Sequence, residues 1–397
     1  MSAQMIELVA GPWGNGGICA CRRDDGPVVL LSGALPGERV VAEVTTTAKS
    51  FWRARVDQVL EPSPDRVPPP WPQGLELGAA DWLHVAPKAA RAAKADVVLG
   101  LLEHATGLRP SLGVAPLGGG GPLGWRTKVE LAVSEAGRAG MVRVGTHQFE
   151  PLVAMPLAVD AISELGLFDR RWPPGSRLTA VAPSAGRAFW LDDAARQGRR
   201  RREVVRVAGR AYHYELDALG FWQIHRAAPE ALAEAVLTAL RPQAGDAIWD
   251  LYAGAGLFTL PLAAAGARVS AVEGSRRAVA DLRANIKRAG LELARADSAS
   301  VARALRGPLG RTRPGAVLLD PPRSGAGRAV MSAVAAARPS RIAYLSCEPA
   351  ALARDLAALT EAGYQLTGLK GFDLFPGTHH VEILALVERH NPKDVVT

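Results

Sequence analysis

The sequence contains no apolar run long enough to cross a membrane and very little cysteine. Its uninterrupted hydrophobic stretches all fall short of the roughly 18 to 20 residues that a spanning helix needs. The first residues, MSAQMIELVA, lack the basic segment followed by an apolar core that a secretory signal contains. The 397 residues include three cysteines, Cys19, Cys21 and Cys347, and this small odd number excludes a disulfide framework. We therefore expect a cytoplasmic protein that does not act at a membrane.

Basic residues outnumber acidic residues in this chain. Lys and Arg total 47 against 39 Asp and Glu, which gives a formal net charge of +8 and a pI near 9.7. Lysine and arginine release condensed counterions when they neutralise phosphates, so the charge favours a nucleic acid partner. The alternative from charge alone is a simple compositional bias.

Turn signals and periodicity divide the chain into three parts. At 397 residues with 48% hydrophobic content, the chain exceeds what one core usually organises. Residues 1–60 contain short β-rich runs between Gly, Pro and Asp turns, which predicts a small barrel, and the proline-rich EPSPDRVPPPWPQG then predicts a boundary. Residues 61–215 combine a helix with alternating strands and predict a mixed central domain. Over residues 216–397 short apolar strands alternate with helices, which predicts an α/β domain with a doubly wound, mostly parallel sheet and a C-terminal antiparallel hairpin.

Polar residues beyond the carboxyl ends of the strands are the candidates for a site, because ligands of doubly wound sheets bind there. Gly254 and Gly256 follow the strand AIWDLY and allow a tight turn close to a ligand. Thr259 stands where a dinucleotide-binding motif has its third glycine, so a simple tight turn is an equal alternative. Glu273 ends the next strand and can accept hydrogen bonds from ribose hydroxyls, while Asp297 in ARADS can meet an adenine amino group. A solvated acidic side chain is the alternative for both carboxylates.

Two further carboxylates favour S-adenosylmethionine as the ligand. No phosphate-binding lysine follows the glycines, so the loop suits S-adenosylmethionine better than a dinucleotide. Asp250 lies in AIWDLY and Asp320 follows GAVLL, and their negative charges favour a positively charged sulfonium. Pro321 and Pro322 restrict the backbone, so the Asp320 carboxylate is expected to be held in place. A proline-rich turn is the alternative there.

Cys347 and Glu382 are the candidates for catalytic groups. Cys347 follows the strand RIAYLS and precedes a helix, whose dipole is expected to lower the pKa of the thiol and prepare it as a nucleophile. A small buried thiol is the alternative. Glu382 follows the turn LFPGTHHV, and burial would raise the pKa of its carboxyl to suit a base working near neutral pH. His379 and His380 lack a third ligand at suitable spacing, so we predict no metal site.

Six segments in chain order resemble those of the RNA uracil-5 methyltransferases, the enzymes that modify transfer RNA and bacterial 23S ribosomal RNA. They are FWQIH (221–225), DLYAGAGLFTLPLA (250–263), VEGS (272–275), DPPR (320–323), SCEPAALARD (346–355) and LFPGTHHVE (374–382). The resemblance implies a class I methyltransferase domain, a central α+β domain and an N-terminal TRAM domain, an RNA-binding barrel of the oligonucleotide-binding type. It also implies S-adenosylmethionine as methyl donor and ribosomal or transfer RNA as substrate.

The same resemblance assigns roles to residues at matching motif positions. Those that would contact S-adenosylmethionine or position the base are Gln223, Tyr252, Glu273 and Asp320. Cys347 would add to carbon 6 of uracil, and the resulting enolate would take the methyl group at carbon 5. Glu382 would then remove the carbon 5 proton, and elimination would release Cys347. A stacked target base would first be flipped into the pocket.

Three features depart from the family or leave alternatives open. Related enzymes often bind an iron–sulfur cluster through four cysteines, and PPPWPQGLELGAADWLHVAP contains none, so we predict no cluster. Glu348 and His225 stand where the family usually has asparagine, and the charge of Glu348 is expected to oppose formation of the Cys347 thiolate. The arginines at 199–202 predict either an RNA-binding run or a solvated loop. A same-fold methyltransferase acting on another base atom and a non-catalytic RNA-binding protein are the alternative functions.

Overall fold

The structure, a computed structural model, describes residues 4–22, 26–195 and 198–389. The N-terminal strands are β1 (Met5–Val9), β2 (Trp13–Gly14), β3 (Ile18–Cys21), β4 (Val28–Ser32), β5 (Arg39–Thr47) and β6 (Phe51–Glu61). They form one sheet in the order β1-β5-β6-β4-β3-β2, in which β4 and β6 are parallel and the other neighbours antiparallel. Alternate residues such as Val29 and Leu31 are fully buried, as are Cys19 and Cys21, so one face of the sheet carries its own apolar core. The predicted N-terminal β structure is confirmed.

The middle of the chain contains three helices and eight strands among the described residues. They are α1 (Pro72–Leu77), α2 (Pro87–Thr106), β7 (Val114–Pro116), β8 (Lys128–Val133), β9 (Ala139–Val142), β10 (Phe149–Pro151), α3 (Asp160–Ser163), β11 (Arg177–Val181), β12 (Phe189–Leu191), β13 (Arg200–Val207) and β14 (Arg210–Asp217). Strands β8 to β12 make an antiparallel sheet in the order β10-β9-β8-β11-β12. Strands β13 and β14 form a separate hairpin.

The C-terminal part is the doubly wound domain that the alternation of strands and helices predicts. Its elements are α4 (Ala228–Leu240), β15 (Ala247–Leu251), α5 (Thr259–Ala264), β16 (Arg268–Glu273), α6 (Arg276–Ala289), β17 (Ala294–Ser298), α7 (Val301–Arg306), a 3-10 turn (Leu309–Arg311), β18 (Ala316–Leu319), α8 (Arg328–Ala337), β19 (Arg341–Ser346), α9 (Pro349–Glu361), β20 (Tyr364–Asp373) and β21 (Glu382–Arg389). The strand order is β17-β16-β15-β18-β19-β21-β20-β7, and the first five strands are parallel. The antiparallel hairpin β20–β21 inserts beside β19, as expected from the sequence.

Helices cover both faces of this sheet because each presents an apolar stripe to it. Helix α6, for example, begins where the Ser275 side chain accepts a hydrogen bond from the Ala278 N–H. It then buries Val279, Leu282 and Ile286 on one side. Each such side chain stabilises the fold by about 1.5–3 kcal/mol. Helices α4, α5 and α6 pack in one apolar cluster, and α7, α8 and α9 in another.

Helix α2 and strand β7 precede the C-terminal domain in sequence but pack with it. Strand β7 pairs with β20 in parallel at the sheet edge. Val98 and Leu102 of α2 join the apolar cluster of α9, and Ala90 and Ala93 of the same helix pack against Trp82. This helix therefore links the N-terminal half of the chain to the large sheet. None of the helices in the described ranges combines the length and the apolar content that crossing a bilayer requires.

Candidate active site

The strand register brings four of the sequence-predicted residues to one edge of the large sheet. Leu251 of β15 is in register with Val272 of β16 and with Leu319 of β18. The next residues of these parallel strands therefore emerge at the same edge. These residues are Tyr252 after β15, Glu273 at the end of β16 and Asp320 after β18. Cys347, which follows β19, lies at the same edge.

Cys347 and Glu382 lie opposite each other where β19 and β21 end their pairing. Ser346 is in register with Ile383 in this antiparallel ladder. Cys347, which follows Ser346, and Glu382, which precedes Ile383, are therefore neighbours across the two strands. The Cys347 side chain is partly exposed, whereas Glu382 is only 5% exposed. The sequence motifs at 346–355 and 374–382 thus converge on a thiol and a carboxyl at one point.

The expectation that the helix dipole lowers the pKa of Cys347 is wrong. Burial raises the pKa of this thiol to about 11, and the negative charges of Glu382 and Asp320 add to the rise, while Arg323 opposes it. Burial and two carboxylates therefore outweigh the N-terminus of α9, and Cys347 is a thiol at neutral pH. Glu348 is not among the charges that shift it, contrary to expectation.

Glu382 has the raised pKa that the sequence predicts. Burial moves the pKa of this carboxyl well above its usual range, and the nearby charge of Asp320 moves it further. The pKa of Asp320 is itself raised to about 7 by burial and by the charges of Asp250 and Glu273. Burial and the neighbouring carboxyl charges therefore make ionisation of Glu382 and Asp320 less favourable than in water.

Asp250, near the end of β15, is hydrogen-bonded to Thr259, the residue that begins α5 after the glycine loop. It is fully buried, and one carboxylate oxygen accepts a hydrogen bond of 2.5 Å from the Thr259 hydroxyl. The other oxygen has no hydrogen-bond partner among the described residues. Burial raises the pKa of Asp250 to about 6, and the charge of Glu273 contributes. Thr259, which stands in place of a third glycine, is therefore a support for this carboxylate.

The loop after β15 is shaped by residues in the left-handed region. Tyr252 has φ 67° and Gly254 has φ 55°, and a side chain added at Gly254 would meet open space. Gly256 has φ 98°, and a Cβ there would lie 2.5 Å from the Leu282 Cδ1 atom. Gly256 thus allows the loop to pack closely on Leu282 of α6. The space beside Gly254 is open, so a ligand can approach the backbone there.

Glu273 is held by backbone donors on both of its carboxylate oxygens. The Gly254 N–H donates to Oε2 at 3.1 Å, and the Ser275 N–H donates to Oε1 at 2.6 Å. Each oxygen keeps a lone pair for a further donor. Asp297 pairs with Val272 on the neighbouring strand and is exposed at the same edge. Both side chains are placed where a ligand beyond the strand ends can reach them.

Gln223 lies in the segment that precedes α4. Trp222 next to it packs on Tyr214 with ring centroids 5.1 Å apart, and the Tyr214 hydroxyl donates to the Leu257 carbonyl of the glycine loop at 3.0 Å. No described residue is hydrogen-bonded to the Gln223 side chain, which is half-buried. This motif is thereby fixed beside the loop, with a free amide.

His225, the departure in the same motif, has a structural role. Its ring stacks on Trp125 at 5.8 Å with an angle of 15° between the planes, and its Nδ1 accepts a hydrogen bond from the Ala227 N–H at 3.1 Å. Burial lowers the pKa of His225 to about 4, so the ring is neutral. A neutral ring that stacks and accepts one bond replaces the expected asparagine.

Sequence reasoning missed Lys94 of α2, which positions the turn before Glu382. Its ammonium is buried and lies 2.6 Å from Asp373 Oδ1 and 3.3 Å from the Phe375 carbonyl oxygen. Asp373 is the last residue of β20, and its neighbour Phe372 is in register with Glu382. The sequence does place Lys94 among the apolar residues of a predicted helix, and this position could have indicated a buried lysine with an acidic partner.

The two histidines of this turn contact protein groups. His379 Nδ1 lies 2.6 Å from Asp81 Oδ2, and burial lowers the pKa of His380 to about 4. Across residues 4–22, 26–195 and 198–389, no cluster of three His, Cys, Asp or Glu side chains is arranged to hold a metal ion.

A cavity of about 50 Å³ adjoins Cys347 and receives residues from three parts of the chain. The N-terminal sheet contributes its β2–β3 turn, α2 contributes Lys94, and the turn after β20 contributes the two histidines. Glu348 also lines it, and its Oε1 accepts a hydrogen bond of 3.2 Å from Asn15 Nδ2. This convergence of the N-terminal sheet on the nucleophile has no signal in the sequence.

The arginine run at 199–202 belongs mainly to strand β13 and not to a solvated loop. Arg200 lies 2.5 Å from Asp281 of α6, and Arg201 is buried 3.7 Å from Glu203. Arg199 lies over the ring of Phe189. Arg200 therefore holds the β13–β14 hairpin against α6, and the Arg202 side chain is 78% exposed.

Comparisons with known proteins agree with this geometry. A model of the tRNA (uracil-5-)-methyltransferase family matches residues 197–390. An uncharacterized RNA methyltransferase of Streptomyces coelicolor is 36% identical, covering 96% of this chain and 92% of its own length. The 23S rRNA (uracil(1939)-C(5))-methyltransferase RlmD of Alkalilimnicola ehrlichii is 33% identical, covering 92% of each chain.

A solved structure of known function resembles the fold over nearly the whole chain. The Pyrococcus abyssi tRNA (uracil-54, C5)-methyltransferase in complex with S-adenosyl-L-homocysteine superposes with a TM-score of 0.71. The match covers 96% of this chain and all of that one, at 18% identity. At that identity the likeness concerns the fold, and it agrees with the predicted class I methyltransferase arrangement.

Proposed function

This chain belongs to the RNA uracil-5 methyltransferase family, and we propose that it methylates carbon 5 of a uracil through a covalent bond between Cys347 and carbon 6. The observation that carries the mechanism is the opposition of Cys347 and Glu382 across the end of the β19–β21 pair. A nucleophile and a base at one point are what this reaction needs, because carbon 5 becomes nucleophilic only after addition at carbon 6. S-adenosylmethionine supplies the methyl group from a positively charged sulfonium.

The carboxylates at the strand ends suit that cation. Glu273 offers a free lone pair on each oxygen for ribose hydroxyls, and Asp297 beside it suits the adenine amino group. Burial and, to a smaller extent, repulsion from neighbouring carboxylates raise the pKa values of Asp250 and Asp320, and a nearby cation would favour the ionised form of both groups. The glycine loop with Tyr252, Gly254 and Gly256, and the free amide of Gln223, complete the proposed site.

The same electrostatics prepare the thiol. Burial, Glu382 and Asp320 oppose ionisation of Cys347. A sulfonium held among these carboxylates would lower the pKa of the thiol and of Glu382 together. The partly exposed Cys347 thiol releases its proton to solvent, the thiolate sulfur bonds to carbon 6, and the carbon 5–carbon 6 π pair moves into an enolate on the carbon 4 oxygen. Carbon 5 takes the methyl group, Glu382 accepts the carbon 5 proton, and the double bond re-forms as the carbon–sulfur bond breaks.

The substrate proposed is ribosomal or transfer RNA in the cytoplasm. The net charge of +8 agrees with a polyanionic partner. We assign residues 1–60 to a TRAM-like RNA-binding domain, 61–215 to a central domain and 216–397 to the methyltransferase domain. The N-terminal sheet, which ends at Glu61, supports the first boundary, and the parallel strands of the large sheet, which follow one another from β15 onward, support the last domain.

A four-cysteine iron–sulfur cluster, which related enzymes often carry, does not fit this chain. Such a cluster needs four thiolates, and the sequence contains three cysteines. Cys19 and Cys21 are buried in the apolar core of the N-terminal sheet, whereas Cys347 follows β19 of the large sheet. We therefore propose a cluster-free enzyme. Iron analysis and the visible spectrum of protein purified without oxygen test this.

The decisive experiment is a covalent trap. The full chain is mixed with S-adenosylmethionine and 5-fluorouridine-substituted 23S ribosomal or transfer RNA transcripts, because fluorine at carbon 5 cannot leave as a proton does. A band of slower mobility on a denaturing gel is expected for the wild type and for Cys19→Ala, a control cysteine in the N-terminal sheet. Cys347→Ala should give none.

Other outcomes favour the alternative functions. Methyl transfer to RNA that survives Cys347→Ala would indicate chemistry at another base atom. Binding of RNA without turnover of S-adenosylmethionine would indicate a non-catalytic protein.

A further inference from the structure

The turn between β2 and β3 of the N-terminal sheet is packed directly on the cavity of Cys347. The Trp82 Nε1–H donates to the Gly17 carbonyl oxygen at 3.1 Å. A Cβ added at Gly17 would lie 2.6 Å from the Cβ of His379, and Gly17 has φ 75°. Only glycine permits this approach, so the turn holds a defined position against the turn that carries the histidines.

Asn15 at the tip of this turn reaches the residue beside the nucleophile. Its Nδ2 atom donates to Glu348 Oε1 at 3.2 Å, although 333 positions separate the two residues in sequence. Both residues line the cavity that contains Cys347. The N-terminal sheet therefore contributes a polar side chain to the cavity beside Cys347.

Glu348 occupies the position before α9 without capping that helix. Its side chain accepts no hydrogen bond from the N–H groups of the first turn, and its own N–H donates to the Ser346 hydroxyl at 3.2 Å. The carboxylate is directed to Asn15 instead. The second carboxylate oxygen, one amide hydrogen of Asn15 and its carbonyl oxygen are left for another partner.

We propose that Asn15 and Glu348 read the hydrogen-bonding edge of the flipped base and select uracil over cytosine. This inference rests on the proposed function. The edge of uracil presents an N3–H donor between two carbonyl acceptors, so the Glu348 carboxylate accepts from N3 while the Asn15 amide donates to a carbonyl. Cytosine presents an unprotonated N3, whose lone pair faces the carboxylate without a hydrogen. A carboxylate at this position therefore discriminates by repulsion as well as by bonding.

The test compares variants of the full chain on RNA with one target position. RNA from cells that lack the gene is first incubated with the wild-type protein and S-adenosylmethionine. The position of the 5-methyluridine that forms is then mapped by mass spectrometry. Transcripts are then made with 5-fluorouridine or 5-fluorocytidine at that position alone, and the rates of covalent adduct formation are compared. Glu361→Gln at the far end of α9, which is exposed, serves as the matched control.

Glu348→Gln is expected to reduce the preference for 5-fluorouridine over 5-fluorocytidine at least about tenfold, because an amide can donate to N3 of cytosine. Asn15→Ala should lower kcat/KM for uridine about 10- to 100-fold with unchanged S-adenosylmethionine affinity and thermal stability. Because Asn15 and Glu348 are hydrogen-bonded to each other, the loss in the Asn15→Ala/Glu348→Ala double variant should be smaller than the product of the single losses, but it should exceed either single loss, since each residue contacts the base.

Three results would overturn the proposal. They are unchanged discrimination in Glu348→Gln, faster reaction in Asn15→Ala, and a double variant no worse than either single variant. A faster reaction in Asn15→Ala would mean that the hydrogen bond between Asn15 and Glu348 restricts access to Cys347. A double variant no worse than either single variant would mean that the pair is a structural contact only. Absence of 5-methyluridine with the wild type would instead remove the proposed function itself, which distinguishes the two failures.

Discussion

The strand-end carboxylates predict that S-adenosylmethionine binding weakens as the pH falls. The pKa values of Asp250 and Asp320 are raised to about 6 and about 7. A sulfonium is attracted by the ionised forms, so binding favours loss of protons from both groups. The sign follows from linkage: affinity is fully present above the raised pKa values and is lost as the pH falls through them.

The magnitude follows from the two values. Between pH 7.5 and pH 5.5, protonation of a group with a pKa of about 7 weakens binding about 25-fold, and that of a group with a pKa of about 6 about 4-fold. If both must be ionised in the complex, the dissociation constant rises about 100-fold over this range. Asp250→Asn removes the contribution of Asp250 and also lowers the pKa of Asp320, which the Asp250 charge helps to raise, so the remaining rise should be smaller than about 25-fold.

Isothermal titration calorimetry at several pH values measures this directly. S-adenosylhomocysteine is the matched control ligand because it lacks the sulfonium charge, and its profile should be much flatter. Buffers of different ionisation enthalpy should also reveal proton release on binding of the cation. A pH-independent dissociation constant, or equal slopes for the two ligands, would refute the electrostatic account of the site.

Three further perturbations test the catalytic base, the buried ion pair and the glycine loop. Glu382→Gln should accumulate the methylated adduct on unsubstituted RNA and lower kcat about 100- to 10,000-fold, and normal turnover would contradict its role as base. Lys94→Ala should lower the free energy of unfolding by about 3–5 kcal/mol, because it leaves the buried Asp373 unpaired. A loss below about 1 kcal/mol on chemical denaturation would be typical of an exposed pair. Gly256→Ala should lower the melting temperature, since both its φ of 98° and the Leu282 side chain oppose a Cβ. An unchanged melting temperature would show that the loop adapts.

The sequence predicted the parts of the site that depend on local pattern. Apolar strands alternating with helices require a doubly wound sheet, and the carboxyl ends of parallel strands meet at one edge. Glu273, Asp320 and Cys347 were therefore found from their positions after strands, and the structure brings them together. The raised pKa of Glu382 also followed from its apolar surroundings.

The pKa of Cys347 shows where such reasoning fails. A helix N-terminus is visible in the sequence, but the charges that face the thiol come from other strands. Burial, Glu382 and Asp320 raise the pKa to about 11 against the effect of the helix. The net shift of this pKa depends on the distances between the thiol and the charged groups around it, and a local sequence pattern does not contain these distances.

By itself, the sequence determined the fold class, the glycine loop and the order of the motifs, because helix and strand periodicity and strand-end positions are local properties. Only the tertiary structure decided which distant groups act on them. Helix α2 crosses to the large sheet so that Lys94 holds Asp373, and the β2–β3 turn brings Asn15 to Glu348. Such contacts join residues about 280 to 330 positions apart, and they exist because packing of separate apolar faces brings those surfaces together.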